Sequence, residues 1–192
     1  MNNILDKNHQ YSFEHNKNYI TENIEYTCCF LGHRKIIETE NLKCSIYKTV
    51  DKLIKQHNVH IFLFGSKSEF NNLCLKIVSN LKEKYPHIKR VYIRAEYADI
   101  DNNYIRYLLE KYDETYFPEK IRGAGKASYV ERNKEMIDKS KFCVVYYDEK
   151  YFPQTKKNRC KNPNDYHPKS GTKIAYDYAI RKGVKIINTI NI

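Results

Sequence analysis

No apolar run in this chain of 192 residues is long enough to span a bilayer, and no secretory pattern opens it. The first residues are polar and rich in asparagine, so a cytoplasmic protein without a membrane partner is expected. The 6 cysteines include no C-x-x-C pair, which removes the usual spacing of zinc modules and redox motifs. Cys28, Cys29 and Cys143 fall inside apolar runs and Cys74 on a helical apolar face, as buried free thiols do. Cys160 and His167 share one polar stretch, but two ligands do not build a metal site, and no metal or cofactor is expected. There is no internal repeat, no low-complexity segment and no block of five or six like charges.

What is present is a foldable chain. Hydrophobic residues make up 41% and are well spread, and the length suits one domain with a substantial core. The excess of 34 basic over 23 acidic residues leaves a net charge of +11. Such a balance favours phosphate-bearing partners, nucleotides or nucleic acid, or else describes a lysine-rich solvated surface.

Along the chain, residues 1–25 carry little periodicity and read as a polar arm or short capping segment, ahead of a single domain over 26–192. Tyr26–Leu31 reads as a buried strand ending in Gly32-His33-Arg34. Leu42, Ile46, Val50, Leu53 and Ile54 mark a helix, and Val59–Phe64 a second strand stopping at Gly65-Ser66. Phe70, Leu73, Cys74, Ile77, Val78 and Leu81 follow the i, i+3, i+4, i+7 pattern of a helix that ends before Pro86. Arg90–Arg94 is a third strand, Ile105 to Tyr112 a helix, and Asp113 to Lys126 a loop. Ser128 to Lys139 reads as helix, Phe142–Tyr147 as a fourth strand closing at Asp148, and Glu149 to Pro168 as a long polar loop. A last helix and a fifth strand, Val184–Asn188, complete the pattern.

Strands apolar on both faces, separated by amphipathic helices, predict an α/β fold with a Rossmann-like parallel sheet of about five strands flanked by helices on both faces. Ligands of such sheets bind at the carboxyl ends of the strands. The turn that opens the last helix is notable in that setting. In Lys169-Ser170-Gly171-Thr172-Lys173, Ser170 reads as an N-cap, Gly171 as a point of close backbone approach, and Thr172 as a hydroxyl beside unpaired N–H groups. A helix start of this kind suits an anion, or is simply a capped helix entry. Four polar or glycine-bearing strand exits converging on one crevice favour the anion.

With these segments in place, the chain resembles the SLOG superfamily, a Rossmann-like group that includes the cytokinin-activating LOG proteins and the DNA-processing SMF proteins. It is most similar to the small bacterial, YpsA-like branch. The resemblance covers about Tyr26 to Asn188. It is carried by Cys29-Phe30-Leu31-Gly32-His33-Arg34, by Phe64-Gly65-Ser66, by Tyr129-Val130-Glu131-Arg132-Asn133-Lys134-Glu135-Met136 and by Ser170-Gly171-Thr172-Lys173-Ile174-Ala175.

The resemblance implies a nucleotide-type ligand and a homo-oligomer. LOG enzymes cleave the N-glycosidic bond of nucleoside monophosphates with an Arg-Lys pair and a Gly-Gly-x-Gly-Thr-x-x-Glu turn. Arg132 matches that arginine, Asn133 stands at the lysine position, and Gly171-Thr172 match the Gly-Thr. The glutamate position falls on Ala175, so the carboxylate such chemistry needs is missing there. Glu131, Glu135 and Asp148 are the substitutes on offer, with surface salt bridges the alternative for both glutamates.

The expectation is therefore a module that binds a nucleotide or ADP-ribose-type ligand, as sensor or sequestering protein. Hydrolysis or transfer at an N-glycosidic bond, and single-stranded nucleic-acid binding, are the alternatives. The ligand would be held by Gly32, His33, Arg34, Gly65, Ser66, Arg132, Asn133, Ser170, Gly171 and Thr172, with Arg132, Glu131 and Asp148 as catalytic candidates. Gly65-Ser66 would supply a backbone turn and N–H donors. Tyr97, Tyr112, Tyr116, Tyr129, Tyr146 and Tyr147 are the candidates for stacking on a base, with core packing the better account of most of them.

Overall fold

The computed structural model describes residues 20, 22–151 and 170–191. It contains six strands: β1 (Thr27–Gly32), β2 (Ile61–Phe64), β3 (Lys89–Ile93), β4 (Glu114–Tyr116), β5 (Phe142–Tyr146) and β6 (Lys185–Asn188). Five helices lie between them: α1 (Glu40–His57), α2 (Glu69–Lys84), α3 (Asn102–Leu109), α4 (Ser128–Asp138) and α5 (Gly171–Arg181). Every strand pair is parallel and the order is β4-β3-β2-β1-β5-β6.

Local chemistry sets the helix ends. Thr39, Ser68, Asp101 and Ser170 each sit in extended backbone and accept a hydrogen bond from the N–H three residues on. That satisfies one otherwise orphaned donor per helix. Helix α1 stops at Asn58, whose φ of 53° is the left-handed conformation asparagine tolerates.

Alternate strand residues point to opposite faces, and the sheet sorts them into two cores. Cys28, Phe30, Phe62 and Phe64 meet Ile46 and Val50 of α1 and Cys74 and Val78 of α2. Cys29, Leu31, Leu63, Cys143 and Val145 meet Met136 and Ile137 of α4 and Ala175 and Ala179 of α5. Burial pushes the thiols of Cys28 and Cys74 well up. The chain runs outward from β1 to β4, then returns to place β5 on the other side of β1. That reversal is the topological switch point, where parallel sheets open a crevice beyond their carboxyl ends.

Three expectations change. The stretch after Asp113 is not all loop: Glu114–Tyr116 forms a sixth strand paired with β3, and Thr115 Oγ1 donates to Tyr92 O at 2.8 Å. Helix α3 begins at Asn102 and ends at Leu109, and Tyr112 packs in the core beyond it. Ile20 is fully buried in the second core, so packing begins ahead of Tyr26. The rest of the predicted arm to residue 19, and most of the predicted loop after Glu149, lie outside the described residues. Among the described residues no helix is long and apolar enough to cross a membrane.

Candidate functional site

A crevice of about 1050 Å³ lies across the carboxyl ends of β1, β2 and β3. The β1 exit contributes Gly32, His33 and Arg34, the β2 exit Gly65 and Ser66, helix α4 Arg132 and Asn133, and the start of α5 Ser170, Gly171 and Thr172. All ten residues named from the sequence as ligand-binding candidates thus line a single cavity.

Arg132 is the most deeply buried cation of the lining. Its side chain is 2% exposed, yet among the described residues it pairs with no carboxylate. Nε donates to Asn133 Oδ1 at 3.0 Å and Nη1 to Ile93 O at 3.4 Å, while the guanidinium carbon lies 5.8 Å from the Tyr129 ring centre. Burial pulls its pKa down to about 10, which leaves it charged at neutral pH. Gly65 makes room for its stem: a Cβ there would lie 2.6 Å from Arg132 Cδ and from Met136 Sδ.

At the start of α5, Ser170 Oγ accepts from Lys173 N at 3.1 Å and caps the helix. The N–H groups of Gly171 and Thr172 have no acceptor within the helix and belong to the crevice wall. No heavy atom lies within 4 Å of where a Gly171 Cβ would stand. Lys173 turns away to pair with Asp177 at 2.8 Å, and Lys169 and the Cys160–His167 stretch lie outside the described residues.

His33 is 1% exposed and its ring stacks on Tyr151 at 3.8 Å. Asp148 N donates to Nε2 at 3.0 Å. A backbone N–H can only donate, so Nε2 is unprotonated and the ring is the neutral Nδ1–H tautomer. Nδ1 is buried and has no acceptor among the described residues. Burial, the largest influence, lowers the His33 pKa against the smaller opposing effect of Asp148. Between the lowered folded value and about 6.5 the unfolded chain binds more protons, so stability rises with pH across that window. Unfolding titrations from pH 8 to pH 5 are expected to show stability falling as pH drops below about 6.5. In His33→Gln this part of the dependence disappears.

Other placements differ from expectation. The N–H groups of Gly65 and Ser66 both face Asn71 Oδ1 at 3.4 Å, so the β2 exit turns its donors inward. Asn71 Nδ2 in turn donates to Phe30 O at 3.3 Å and ties β1 to this turn. Of the catalytic candidates only Arg132 reaches the crevice. Glu131 pairs with Lys134 at 2.7 Å, and the exposed Asp148 accepts from Lys150 N at 2.8 Å. Glu135 is no surface residue but a 5% exposed carboxylate between Lys120, Lys139 and the Tyr116 hydroxyl. Ala175, at the expected glutamate position, is a packing residue at 2% exposure. Among the stacking candidates Tyr97 and Tyr129 line the crevice, whereas Tyr112, Tyr116 and Tyr147 are buried core residues.

The β3 exit supplies what sequence reasoning missed. Arg94 Nη1 donates to Tyr97 O at 2.9 Å and Ala98 O at 3.0 Å, shaping a loop that carries Glu96 into the crevice wall. Glu96 accepts from the Tyr129 hydroxyl and lies 3.9 Å from Lys67 Nζ. Tyr92, Tyr104 and Tyr151 join Tyr97 and Tyr129 in the lining. The carboxyl-end rule that singled out the exits of β1 and β2 applies equally to β3. Its exit carries no glycine and so gives no comparable signal in the sequence.

The described lining therefore sets Arg34, Lys35, Lys67, Arg94 and Arg132 against one carboxylate, Glu96, between five tyrosines. Such a wall suits a ligand with an anionic end and a flat unsaturated ring. No group of three or more metal-binding side chains occurs among the described residues. No protein-family model and no curated protein matches the chain. The resemblance to SLOG proteins accordingly rests on the four motifs alone.

Proposed function

We propose that this protein binds a nucleotide or ADP-ribose-type ligand in the crevice at the carboxyl ends of β1, β2 and β3, as a sensor or sequestering module. The observation that carries the reading is Arg132, a buried guanidinium lining the crevice with no carboxylate in ion-pair contact among the described residues. A charge held out of water is costly unless something of opposite sign meets it. A phosphate does so with the geometry that the parallel donors of arginine match. The α5 start adds two N–H donors and the positive end of a helix dipole, Arg34 adds a second guanidinium, and the tyrosines offer faces to a base. The motif resemblance supports the same ligand class and adds homo-oligomerisation to the proposal, which light scattering measures.

Thermal melting against AMP, ADP-ribose, NAD, cyclic nucleotides and a short oligonucleotide tests the reading, since a ligand of the native state raises the melting temperature by mass action. At least one nucleotide is expected to shift it. A shift with the oligonucleotide alone, falling steeply with salt, would replace this reading by nucleic-acid binding. Gly171→Ala supplies the control. Its methyl group meets no protein atom, so the unliganded melting temperature should hold or rise slightly. Nucleotide affinity is expected to drop about ten-fold, as a methyl group at the turn pushes a phosphate off its N–H donors.

One observation favours a second reading. Glu96 supplies the crevice with the carboxylate that the α5 turn lacks, so cleavage of the N-glycosidic bond is chemically open. Chromatography of the stabilising nucleotide separates the two: recovery intact supports binding, and conversion to free base plus sugar phosphate makes the protein an enzyme.

A further inference from the structure

Beyond β5 the chain makes a tight turn, Asp148 to Tyr151, whose internal bonds are local. Tyr151 N donates to Asp148 O at 3.1 Å and Lys150 N to Asp148 Oδ1 at 2.8 Å. The turn meets the β1 exit through the His33 ring, which accepts from Asp148 N at 3.0 Å and stacks on the Tyr151 ring at 3.8 Å. Tyr151 is itself part of the crevice lining. One imidazole therefore pins a piece of the crevice wall to the sheet.

That pin depends on charge. The bond from Asp148 exists only while Nε2 keeps its lone pair. A proton there sets donor against donor and leaves an imidazolium at 1% exposure, its Nδ1–H unpartnered among the described residues. A buried charge of this kind is relieved by hydration, and water reaches the ring once the Tyr151 stack lifts. The surroundings do little to hold the cation where it is. Tyr146 and Tyr147 meet the ring edge-on and tilted, at 6.3 and 5.8 Å. Arg34 and Lys35 follow His33 on its own loop, and Lys173 of α5 stands over the Tyr147 ring at 5.7 Å, so all three add positive charge nearby. Glu149 and Lys150 of the turn are exposed. Burial lowers the His33 pKa, and Asp148, whose carboxylate acts on the ring, opposes it with a smaller effect.

We infer that His33 is a pH-sensitive latch on the crevice wall: neutral, it holds the turn against the β1 exit, and protonated, it releases the turn together with Tyr151. The latch is closed at neutral pH and opens below the ordinary histidine value of about 6.5. A ligand resting on Tyr151 binds the closed form and competes with the proton, so acid empties the crevice. This holds for any ligand that touches that wall and does not depend on the nucleotide reading.

The chain contains no tryptophan, so Tyr151→Trp places a single fluorescent reporter on the turn. Acrylamide quenching of the full chain carrying it is followed from about pH 7.5 to about pH 4.5, with helical circular dichroism recorded alongside. The quenching constant is expected to rise at least about two-fold below pH 6.5 while the helical signal holds, because the ring leaves its stack before the fold is lost. Adding His33→Gln, whose side-chain oxygen accepts from Asp148 N but does not titrate, should abolish the rise. A constant value throughout, a rise that coincides with loss of helix, or the same rise in the double variant would overturn the inference. If either variant does not fold, nuclear magnetic resonance of the unaltered chain decides. Exchange of the Asp148 N–H, corrected for its intrinsic pH dependence, must accelerate at the midpoint of the His33 ring titration, and two separate midpoints overturn the latch.

Discussion

Arg132→Met is expected to weaken nucleotide binding at least about 30-fold and raise the melting temperature of the unliganded protein. The two effects share one cause. Arg132 is held at 2% exposure with two hydrogen bonds and no carboxylate among the described residues. Its desolvation is only partly offset, as the drop in its pKa to about 10 reflects. Methionine keeps most of the stem that packs over Gly65 and removes the charge. Replacing buried charge by an apolar side chain of similar volume is often stabilising, here by about 1 kcal/mol. For a chain of this size that corresponds to roughly 2–4 °C.

The ligand would lose the guanidinium that meets its phosphate. Removing one partner of a buried charged pair costs about 2–5 kcal/mol, or some 30- to several thousand-fold in affinity. Arg132→Lys should fall between, because an ammonium keeps the charge but not the fork of parallel donors. Differential scanning calorimetry and titration calorimetry on the three proteins read both effects. A destabilised Arg132→Met that still binds nucleotide would show the guanidinium to be structural.

The strands were legible wherever both faces are apolar. Phe142 to Tyr146 and Ile61 to Phe64 stand out because each side chain enters one core or the other. β4 was not, since three residues carry no period and what fixes them is pairing with β3 and the Lys89–Glu114 contact at 2.6 Å. The convergence of the strand exits on one crevice was legible because glycines and cations at strand exits are rare enough to notice. The position of the carboxylate was not. Sequence shows alanine at residue 175, but only the packed loops reveal that Glu96, from another strand exit, faces Tyr129 of α4. The same holds for Glu135, whose burial follows from Lys120, Lys139 and Tyr116 meeting around it. Local spacing reports which face a residue takes; it does not report which distant side chain waits on the other side.

Gly65 is the clearest case of that limit, and it yields the second large effect. As a strand exit it suggested backbone N–H groups offered to a ligand, but those groups face Asn71. Its backbone is not in the left-handed region either, so conformational freedom does not explain the glycine. What does is the Arg132 side chain, which crosses the site a Cβ would occupy, with Cδ at 2.6 Å and Nε at 2.7 Å. These atoms belong to a stem whose guanidinium is held by Asn133 and Ile93, and Met136 Sδ closes the other side at 2.6 Å. Gly65→Ala must therefore displace Arg132 or open α4 from the sheet. Overpacking of this kind costs about 1–3 kcal/mol, and moving the guanidinium by even one ångström spoils its alignment with a phosphate. A loss of stability in that range together with at least hundred-fold weaker nucleotide binding is expected. The double variant Gly65→Ala with Arg132→Ala separates the two contributions. With the stem removed, the added methyl group has space on that side, so much of the stability should return while binding stays absent. Stability that fails to return would locate the clash at Met136 Sδ rather than at the Arg132 stem.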